Sequence, residues 1–242
     1  MIGDFMQEKA YELIENFEDW FWWNRARKNI IIDTIINNVD DLEYKKLLDI
    51  GCGSGDFLSS ILQYVPNCIG IEGYEYSHKK YNNIRICNIF DNGFEDHSFD
   101  IITALDVMEH IENENDFLNE IKRLSNGKYI LLTVPAYQFL FTYHDEINHH
   151  YRRYNKNRLK KLLLENNFEI VKISYFNFFL FPPFFIVRIV DKIFNLKRIE
   201  KEKKSIFNEL LYKIFNFEKY LLRRINLPFG SSLIALCKLK EK

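Results

Sequence analysis

Residues 46–58 constrain the fold of this chain more than any other segment. An apolar run ends at Ile50, an apolar pattern of helical period begins at Phe57, and three glycines alternate between them: Gly51, Gly53 and Gly55. A buried strand that turns sharply into a helix has this pattern. Glycines allow the tight turn and omit the Cβ atoms that would keep a ligand away from the backbone. Because the helix N-terminus presents free N–H groups, the segment predicts a nucleotide-like ligand at the carboxyl end of a first parallel strand.

The spacing of the glycines limits which ligand this is. A dinucleotide fingerprint needs a third glycine at the sixth position of the turn, where it allows helix and strand to pack closely. Asp56 occupies that position here, which disfavours a nicotinamide oxidoreductase. No Gly-Lys-Ser/Thr follows the turn either, so an ATP-binding phosphate loop is also disfavoured.

The segment Asp-Ile-Gly-Cys-Gly-Ser-Gly that starts at Asp49 resembles the first motif of class I S-adenosylmethionine-dependent methyltransferases. This resemblance implies S-adenosylmethionine as the cofactor, with Asp49 helping to hold the amino group of its methionine part. It also implies that the turn approaches the methionine part and the ribose, through Gly51, Cys52, Gly53 and Gly55. A strand, turn and helix with no ligand is the structural alternative.

The next apolar run, from Cys68, ends in a carboxylate at Glu72, about 20 residues beyond the first glycine. A carboxylate there can accept hydrogen bonds from both ribose hydroxyls. We therefore predict that Glu72 binds the ribose. NAD-binding folds use such an acid too, so Glu72 does not distinguish between the two cofactors.

Later blocks extend the resemblance to roughly residues 45–135. Asn88 stands where many family members carry an Asp that bonds the adenine amino group, and an Asn side-chain oxygen can accept the same bond. The resemblance also implies that Ile89 packs on the adenine face and that the backbone of Leu105 meets the cofactor.

Strands alternate with helices through the middle of the chain, which predicts an α/β fold with helices on both faces of a parallel sheet. The resemblance implies a Rossmann-like, doubly wound, seven-stranded sheet in a three-layer sandwich, with an antiparallel last strand. We predict a single domain over residues 1–242, with an N-terminal helical lid (1–40) and a helical insertion before the last strand (176–231). The predicted strands are 46–50, 68–72, 84–87, 99–104, 128–134, 168–175 and 232–239.

All three tryptophans of the chain lie between Trp20 and Trp23, followed by Arg25, Arg27 and a run of isoleucines with helical spacing. An amphipathic helix that packs on the domain has this pattern. Relatives often carry an aromatic pair followed by an arginine that meets the methionine carboxylate of the cofactor. On that resemblance we predict that Arg27, rather than Arg25, makes this charge-assisted contact.

A polar segment, residues 144–154, follows the predicted fifth strand, at the edge where a substrate should lie in an open α/β sheet. It resembles a family subgroup often linked to glycan or lipid-linked biosynthesis, which carries an Asp and then His-x-Arg-Arg-Tyr. We predict His150 as the base for a hydroxyl acceptor and Asp145 as its orienting partner, since histidine titrates near neutrality. Arg152 and Arg153 are predicted to contact an anionic acceptor. His110 is the other candidate base, and a solvated surface charge cluster is the structural alternative.

The acidic and imidazole groups at Asp106, Glu109 and His110 resemble a position where some quinone-pathway O-methyltransferases use a divalent cation. An adjacent Glu and His do not define a coordination geometry, and acids at a helix start also suit its dipole. We therefore predict no metal site.

Residues 175–190 are unusually aromatic but too short to span a bilayer. The segment is compatible with a core helix, a hydrophobic acceptor pocket or a surface that rests on a membrane. Glu200 and Glu202 interrupt the basic residues that follow, so a solvated helix is favoured over peripheral membrane contact.

Composition narrows the class of protein further. The formal net charge of −1 leaves no electrostatic footprint for nucleic acid. Four scattered cysteines without Cys-x-x-Cys spacing indicate free thiols in a reducing compartment, and no signal peptide is visible, so a cytoplasmic location is expected.

These observations predict an S-adenosylmethionine-dependent methyltransferase whose acceptor is a small molecule, a glycan or a lipid-linked compound, methylated at oxygen. A non-catalytic module that binds the cofactor is the alternative. Neither the identity of the acceptor nor the oligomeric state follows from the sequence.

Overall fold

The computed structural model describes residues 20–75, 80–194, 196 and 206–240. The α-helices are α1 (Trp22–Ile36), α2 (Asp56–Ile61), α3 (Glu114–Leu124), α4 (Tyr143–Ile147), α5 (Lys156–Glu165), α6 (Phe181–Ile193) and α7 (Asn208–Leu222). The strands are β1 (Lys46–Ile50), β2 (Asn67–Glu72), β3 (Ile84–Ile86), β4 (Phe99–Leu105), β5 (Ser125–Pro135), β6 (Phe168–Phe176) and β7 (Ser232–Leu239). Short 3-10 turns lie at Leu42–Tyr44, Met108–His110 and Gln138–Leu140.

Within these described ranges, seven strands form one sheet in the order β3-β2-β1-β4-β5-β7-β6. Strands β1 to β5 pair in parallel, whereas β7 lies antiparallel between β5 and β6, with Ala235 opposite both Leu132 and Ile173. The predicted fold class, including the antiparallel last strand, is confirmed. The predicted strand boundaries agree with the observed ones to within three residues at each end.

Both faces of the sheet are covered, which is why its central strands are apolar along almost their whole length. On one face, Leu48 and Ile102 pack with Phe117 of α3 and Leu159 of α5. On the other face, Leu47, Ile101 and Leu131 pack with α1, α2 and α7. The sheet is therefore the middle layer of a sandwich.

Helix α1 is held to the domain by an aromatic cluster and by its isoleucines. Trp23 stacks on Phe215 of α7, with ring centroids 4.9 Å apart, and Ile30, Ile31 and Ile35 are fully buried. The described part of the predicted lid is thus a packed helix, and residues 1–19 of the lid lie outside the described residues. The two helices α6 and α7 lie in the predicted insertion before the last strand.

The strand order reverses at β1, because β2 and β3 lie on one side of it and β4 and β5 on the other. In an open α/β sheet, the carboxyl ends of the strands on either side of such a switch point form a crevice for ligands. The glycine turn follows β1 directly, so the topology places it in this crevice.

Candidate active site

A cavity of about 820 Å³ opens at the switch point. One wall comes from β1, β2, β4 and the glycine turn, a second from α1, and a third from the loop that follows α4. The lining residues used below are Asn24, Arg27, Lys28, Ile31, Asp49, Gly51, Cys52, Gly53, Asp56, Glu72, Leu105, Asp106, Val107, His110, Asn148, His149, His150 and Tyr151. Strand ends that the sequence separates therefore meet at one cavity, as predicted for parallel strands.

The glycine turn needs glycine at position 51 for two reasons. Gly51 has φ +67°, in the left-handed region that L side chains rarely adopt. A Cβ at this position would also lie 2.6 Å from Cγ2 of Val107, which is closer than van der Waals contact allows. The backbone N–H groups of Gly51 and Cys52 both donate to Ile71 O, which ties the turn to β2.

Asp49 and Glu72 are carboxylates in the part of the cavity beside the glycine turn, which is called the cofactor end after the prediction from sequence. Asp49 is 1% exposed and accepts a 2.6 Å hydrogen bond from the Thr103 hydroxyl. Burial raises its pKa to about 7, while the Thr103 hydrogen bond and the charge of Arg27 act in the opposite direction. Burial also raises the pKa of Glu72, although three backbone N–H groups, including that of Gly53 at 2.8 Å, donate to this carboxylate.

Arg27 projects from α1 into the cavity, as predicted. Its Nη2 lies 2.8 Å from Oδ2 of Asp106 and donates to the Thr133 hydroxyl at 2.9 Å. Its buried Nε has no hydrogen-bond partner among the described residues. Arg25 instead pairs with Glu209 and packs over the Tyr212 ring, so it fastens α1 to α7.

Asp145 lies behind the cavity wall at His150, where it forms a buried ion pair with Arg153 and a hydrogen bond with His150. His150 Nδ1 lies 2.9 Å from Oδ1 of Asp145, and Arg153 Nε donates to the same oxygen at 2.7 Å. The Thr142 N–H donates to Oδ2 of Asp145. Burial alone would raise the pKa of Asp145, but the hydrogen bond from His150 and the Arg153 guanidinium hold it well below its usual value. Asp145 therefore stays ionised and orients the imidazole of His150.

His110 and Glu109 lie next to this network. The rings of His110 and His150 meet edge to face, with centroids 4.6 Å apart. Burial, together with the neighbouring His150, lowers the pKa of His110 to about 4, so its imidazole is neutral and weakly basic. Burial and the charge of Asp106 raise the pKa of Glu109 well above its usual value, and neither of its oxygens has a hydrogen-bond partner within the described structure.

Glu109, His110 and His150 also place one possible ligand atom each within 4.8 Å of the other two. Two imidazoles and a carboxylate suit a divalent transition metal. His150 could therefore serve as a metal ligand instead of the predicted base, and a chelator would distinguish these two roles.

Several predicted site residues lie outside the cavity lining. Asn88 is exposed, and its Oδ1 accepts a hydrogen bond from the Phe90 N–H, while Ile89 packs against the core. Gly55 precedes α2, where a Cβ would lie 2.6 Å from Cβ of Tyr81, so its described contact is with the chain rather than with the cavity. The adenine contacts of Asn88 and Ile89 stay predictions.

Arg152 and Arg153 have partners that differ from the expected anionic acceptor. Arg152 donates to the carbonyls of Ile111 and Glu112, and Arg153 donates to Asp145 and to the carbonyl of Ala136. Neither lines the cavity. Their guanidinium groups are used to hold the loop after α4 against its neighbours.

Sequence reasoning predicted the helical lid and Arg27 but missed the neighbours of Arg27 that line the same wall of the cavity. Asn24, Arg27, Lys28 and Ile31 follow one face of α1 at helical spacing and line the cavity together. Lys28 Nζ lies 2.7 Å from Oδ2 of Asp56. The available signal was the i, i+3 and i+4 spacing of Asn24, Arg27 and Lys28, but Arg25, Asn29 and Asp33 are polar too and obscure it. Asn148 and His149 were missed because nothing in a loop sequence shows which side chains point inward.

Comparison with known proteins supports the predicted enzyme class. A family model described as a methyltransferase domain matches residues 10–173. The chain is 25% identical over 199 residues to a protein of Rickettsia bellii named ubiquinone biosynthesis O-methyltransferase, covering 66% of this chain and 82% of that protein.

Two solved structures share the fold. One is an S-adenosylmethionine-dependent methyltransferase from Archaeoglobus fulgidus, with a TM-score of 0.55 and 18% identity, covering 87% of this chain and 94% of that one. The other is phosphoethanolamine N-methyltransferase 2 of Haemonchus contortus in complex with S-adenosyl-L-methionine, with a TM-score of 0.59 and 16% identity, covering 97% of this chain and 57% of that one. At these identities the structures show the architecture alone.

Proposed function

Because this chain belongs to the methyltransferase domain family and uses S-adenosylmethionine, we propose that it methylates a hydroxyl oxygen of a small-molecule, glycan or lipid-linked acceptor. Family membership confirms the predicted enzyme class and cofactor. The acceptor, the oxygen and the residue roles below are proposals.

The residues of the cofactor end fit the group that they would hold. Gly51 and Gly53 line the cavity, where a turn without side chains lets a ligand approach the backbone closely. Asp49 would hold the amino group of the methionine part, since a cation offsets the unfavourable burial of that carboxylate. Arg27, with an unpartnered Nε, would meet the methionine carboxylate, and Glu72 would meet the ribose.

The observation that carries the proposal for the acceptor is the Asp145–His150 pair at the cavity wall. Since Nδ1 of His150 faces the Asp145 carboxylate, the hydrogen-bond pattern assigns the proton to Nδ1 and the lone pair to Nε2. Nε2 is then the nitrogen that can take a proton from an acceptor in the cavity. His110 is a poorer base, because burial lowers its pKa to about 4.

Bound S-adenosylmethionine supplies a methyl group on a sulfonium that is already an activated electrophile. The chain's own task is then to align the acceptor oxygen and to remove its proton, and alignment accounts for much of the rate in such reactions. His150 accepts the hydroxyl proton at Nε2, and the ionised Asp145 stabilises the imidazolium that forms. The O-methyltransferase name of the Rickettsia bellii relative also supports oxygen as the methylated atom.

Calorimetry with S-adenosylmethionine and its demethylated product, with NADH as a control, is the first experiment. Binding of the two sulfur compounds alone is expected. An acceptor screen over phenolic, polyprenyl-linked and glycan hydroxyl compounds then measures formation of the demethylated product. Cofactor binding without turnover on any of these classes would favour a non-catalytic binding module.

His150→Asn tests the base on whichever acceptor is found. We expect turnover to fall at least 100-fold, a typical contribution of general base catalysis, with cofactor affinity unchanged. His149→Asn is the matched control, because His149 also lines the cavity and its φ of +55° suits asparagine. Full turnover by His150→Asn would contradict the proposal. Loss of wild-type turnover in a chelator, restored by a divalent transition metal, would assign His150 to a cation instead.

A further inference from the structure

The burial pattern of helix α6 is the reverse of that of an ordinary surface helix. Its buried residues are charged, Arg188 and Asp191, whereas Ile186 and Ile193 are 61% and 70% exposed. A soluble surface helix buries its apolar stripe and exposes its polar one. The Arg188 guanidinium donates to the Thr142 hydroxyl at 2.7 Å, so the charged face is fastened to the start of α4. The apolar face of α6 is therefore held outward.

The exposed apolar residues of α6 belong to a larger surface. Phe179 contacts Phe217 of α7, with ring centroids 6.3 Å apart, and both side chains are exposed. Through Phe178, Phe229 and Phe181, the chain of ring contacts continues to α6. We call the outer faces of α6 and α7, with Phe179 between them, the aromatic face. Contiguous apolar surface of this kind marks an interaction site, whereas scattered exposed side chains are ordinary.

Charge identifies the partner. The described residues of segment 176–231 carry six Lys and Arg against three Asp and Glu, while the chain outside that segment carries 22 against 29. A chain with a net charge of −1 thus concentrates a positive excess in the segment that contributes the aromatic face. Anionic phospholipids offer both an apolar interior and a negative surface, which this combination complements. A second copy is disfavoured, because an isologous dimer would bring two faces of like charge together.

We propose that the aromatic face docks on the surface of a bilayer that contains anionic phospholipid. Docking would be peripheral, since none of the described helices is long and apolar enough to cross a membrane. The aromatic rings would lie at the interface, with exposed cations such as Lys192 and Lys213 beside the headgroups. The proposal does not depend on methyl transfer.

Co-sedimentation of the full chain with phosphatidylcholine vesicles, with and without 50% phosphatidylglycerol, tests this. We expect at least tenfold more binding to the anionic vesicles, weakened by 1 M salt because salt screens charge. The double variant Ile186→Ser/Ile193→Ser should lose at least tenfold of the binding. Both side chains are exposed, so folding by circular dichroism and affinity for S-adenosylmethionine should not change.

The matched control is Tyr44→Ser/Leu164→Ser, which removes two exposed apolar side chains elsewhere on the molecule and should bind vesicles like the wild type. Three results would overturn the proposal. They are no binding of the wild type to anionic vesicles, equal loss in both double variants, and a concentration-dependent dimer that Ile186→Ser/Ile193→Ser abolishes. Retained cofactor binding in each case would leave the proposed function standing.

Discussion

Two buried carboxylates, Asp49 in the cavity lining and Asp145 behind His150, have pKa values shifted in opposite directions. Asp49, at the cofactor end, is 1% exposed, and burial raises its pKa to about 7. Asp145, behind the acceptor end, is 0% exposed, but its pKa is held well below the usual value. Both side chains lose their water, so burial cannot explain the difference.

The hydrogen-bond and charge partners of the two carboxylates explain the difference in pKa. Asp145 receives hydrogen bonds from His150, from the Arg153 guanidinium and from the Thr142 N–H, which together outweigh burial. Asp49 accepts a hydrogen bond from the neutral Thr103 hydroxyl, and the positive charge of Arg27 acts on it without a direct hydrogen bond. The charge of Asp145 is therefore balanced by groups of the protein itself. The surroundings of Asp49 would instead suit a cationic ligand. Asp145 holds a loop in place, whereas the proposed role of Asp49 is to bind a ligand.

The largest effect is expected from Asp145→Ala. Removing one partner of a buried pair leaves the Arg153 charge uncompensated, so the free energy of unfolding should fall by about 3–5 kcal/mol. Denaturant unfolding measures this. Asp96→Ala, which removes the exposed partner of Arg123, should cost under about 1 kcal/mol. Equal effects of the two substitutions would show that Asp145 does not hold the loop together.

Gly51→Ala tests the cofactor end. A Cβ at position 51 would strain the turn by about 2–3 kcal/mol, because φ is left-handed and Val107 is too close. If the turn shifts to relieve this strain, affinity for S-adenosylmethionine should fall about 30- to 100-fold. Gly73→Ala is the control, because a Cβ there meets nothing within 4 Å. Calorimetric titration measures the affinity of each variant. Similar affinities of Gly51→Ala and Gly73→Ala would show that the turn is not part of the binding site.

The raised pKa of Asp49 predicts a pH dependence that Asp145 should not share. The folded state keeps the Asp49 proton up to about pH 7, whereas the unfolded state releases it above its usual value of 3.8. The stability contributed by this group is thus present at low pH and is lost as the pH rises from about 4 to 7.

Asp49→Asn should accordingly gain stability relative to the wild type between pH 5 and pH 8, as measured by Tm. Since a cationic amino group prefers the ionised carboxylate, wild-type cofactor affinity should rise about tenfold between pH 6 and pH 8. That rise should be absent in Asp49→Asn. A parallel rise in both proteins would assign the titration to another group.

The smallest effect is expected from Arg27→Ala. Its guanidinium is already shared between Asp106 and Thr133, so we expect about a fivefold loss of cofactor affinity, on the order of 1 kcal/mol. Arg25→Ala, on the same helix but paired with Glu209, should bind the cofactor like the wild type. Unchanged affinity in Arg27→Ala would take this side chain out of the site.

The comparison also explains which site residues were predictable. Asp49, Glu72 and Leu105 lie at the carboxyl ends of parallel strands, so the topology brings them to one edge of the sheet. Arg152 and Arg153 occur in a recognisable motif, but their direction depends on which carbonyls and carboxylates the fold brings near them. Charged residues in a loop look alike in sequence whether they bind a substrate or hold the loop in place.

The sequence by itself determined the alternation of strands and helices and the position of the glycine turn, because these depend on local periodicity and on backbone conformations that only certain residues adopt. Tertiary structure alone decided the direction of Arg153, since the folded loop brings the Asp145 carboxylate, eight residues away, to its guanidinium and keeps that side chain out of the cavity lining. It also decided which face of α6 is exposed. The apolar pattern of that helix is typical of a core segment, and only the burial of Arg188 and Asp191 against their neighbours turned its apolar side outward.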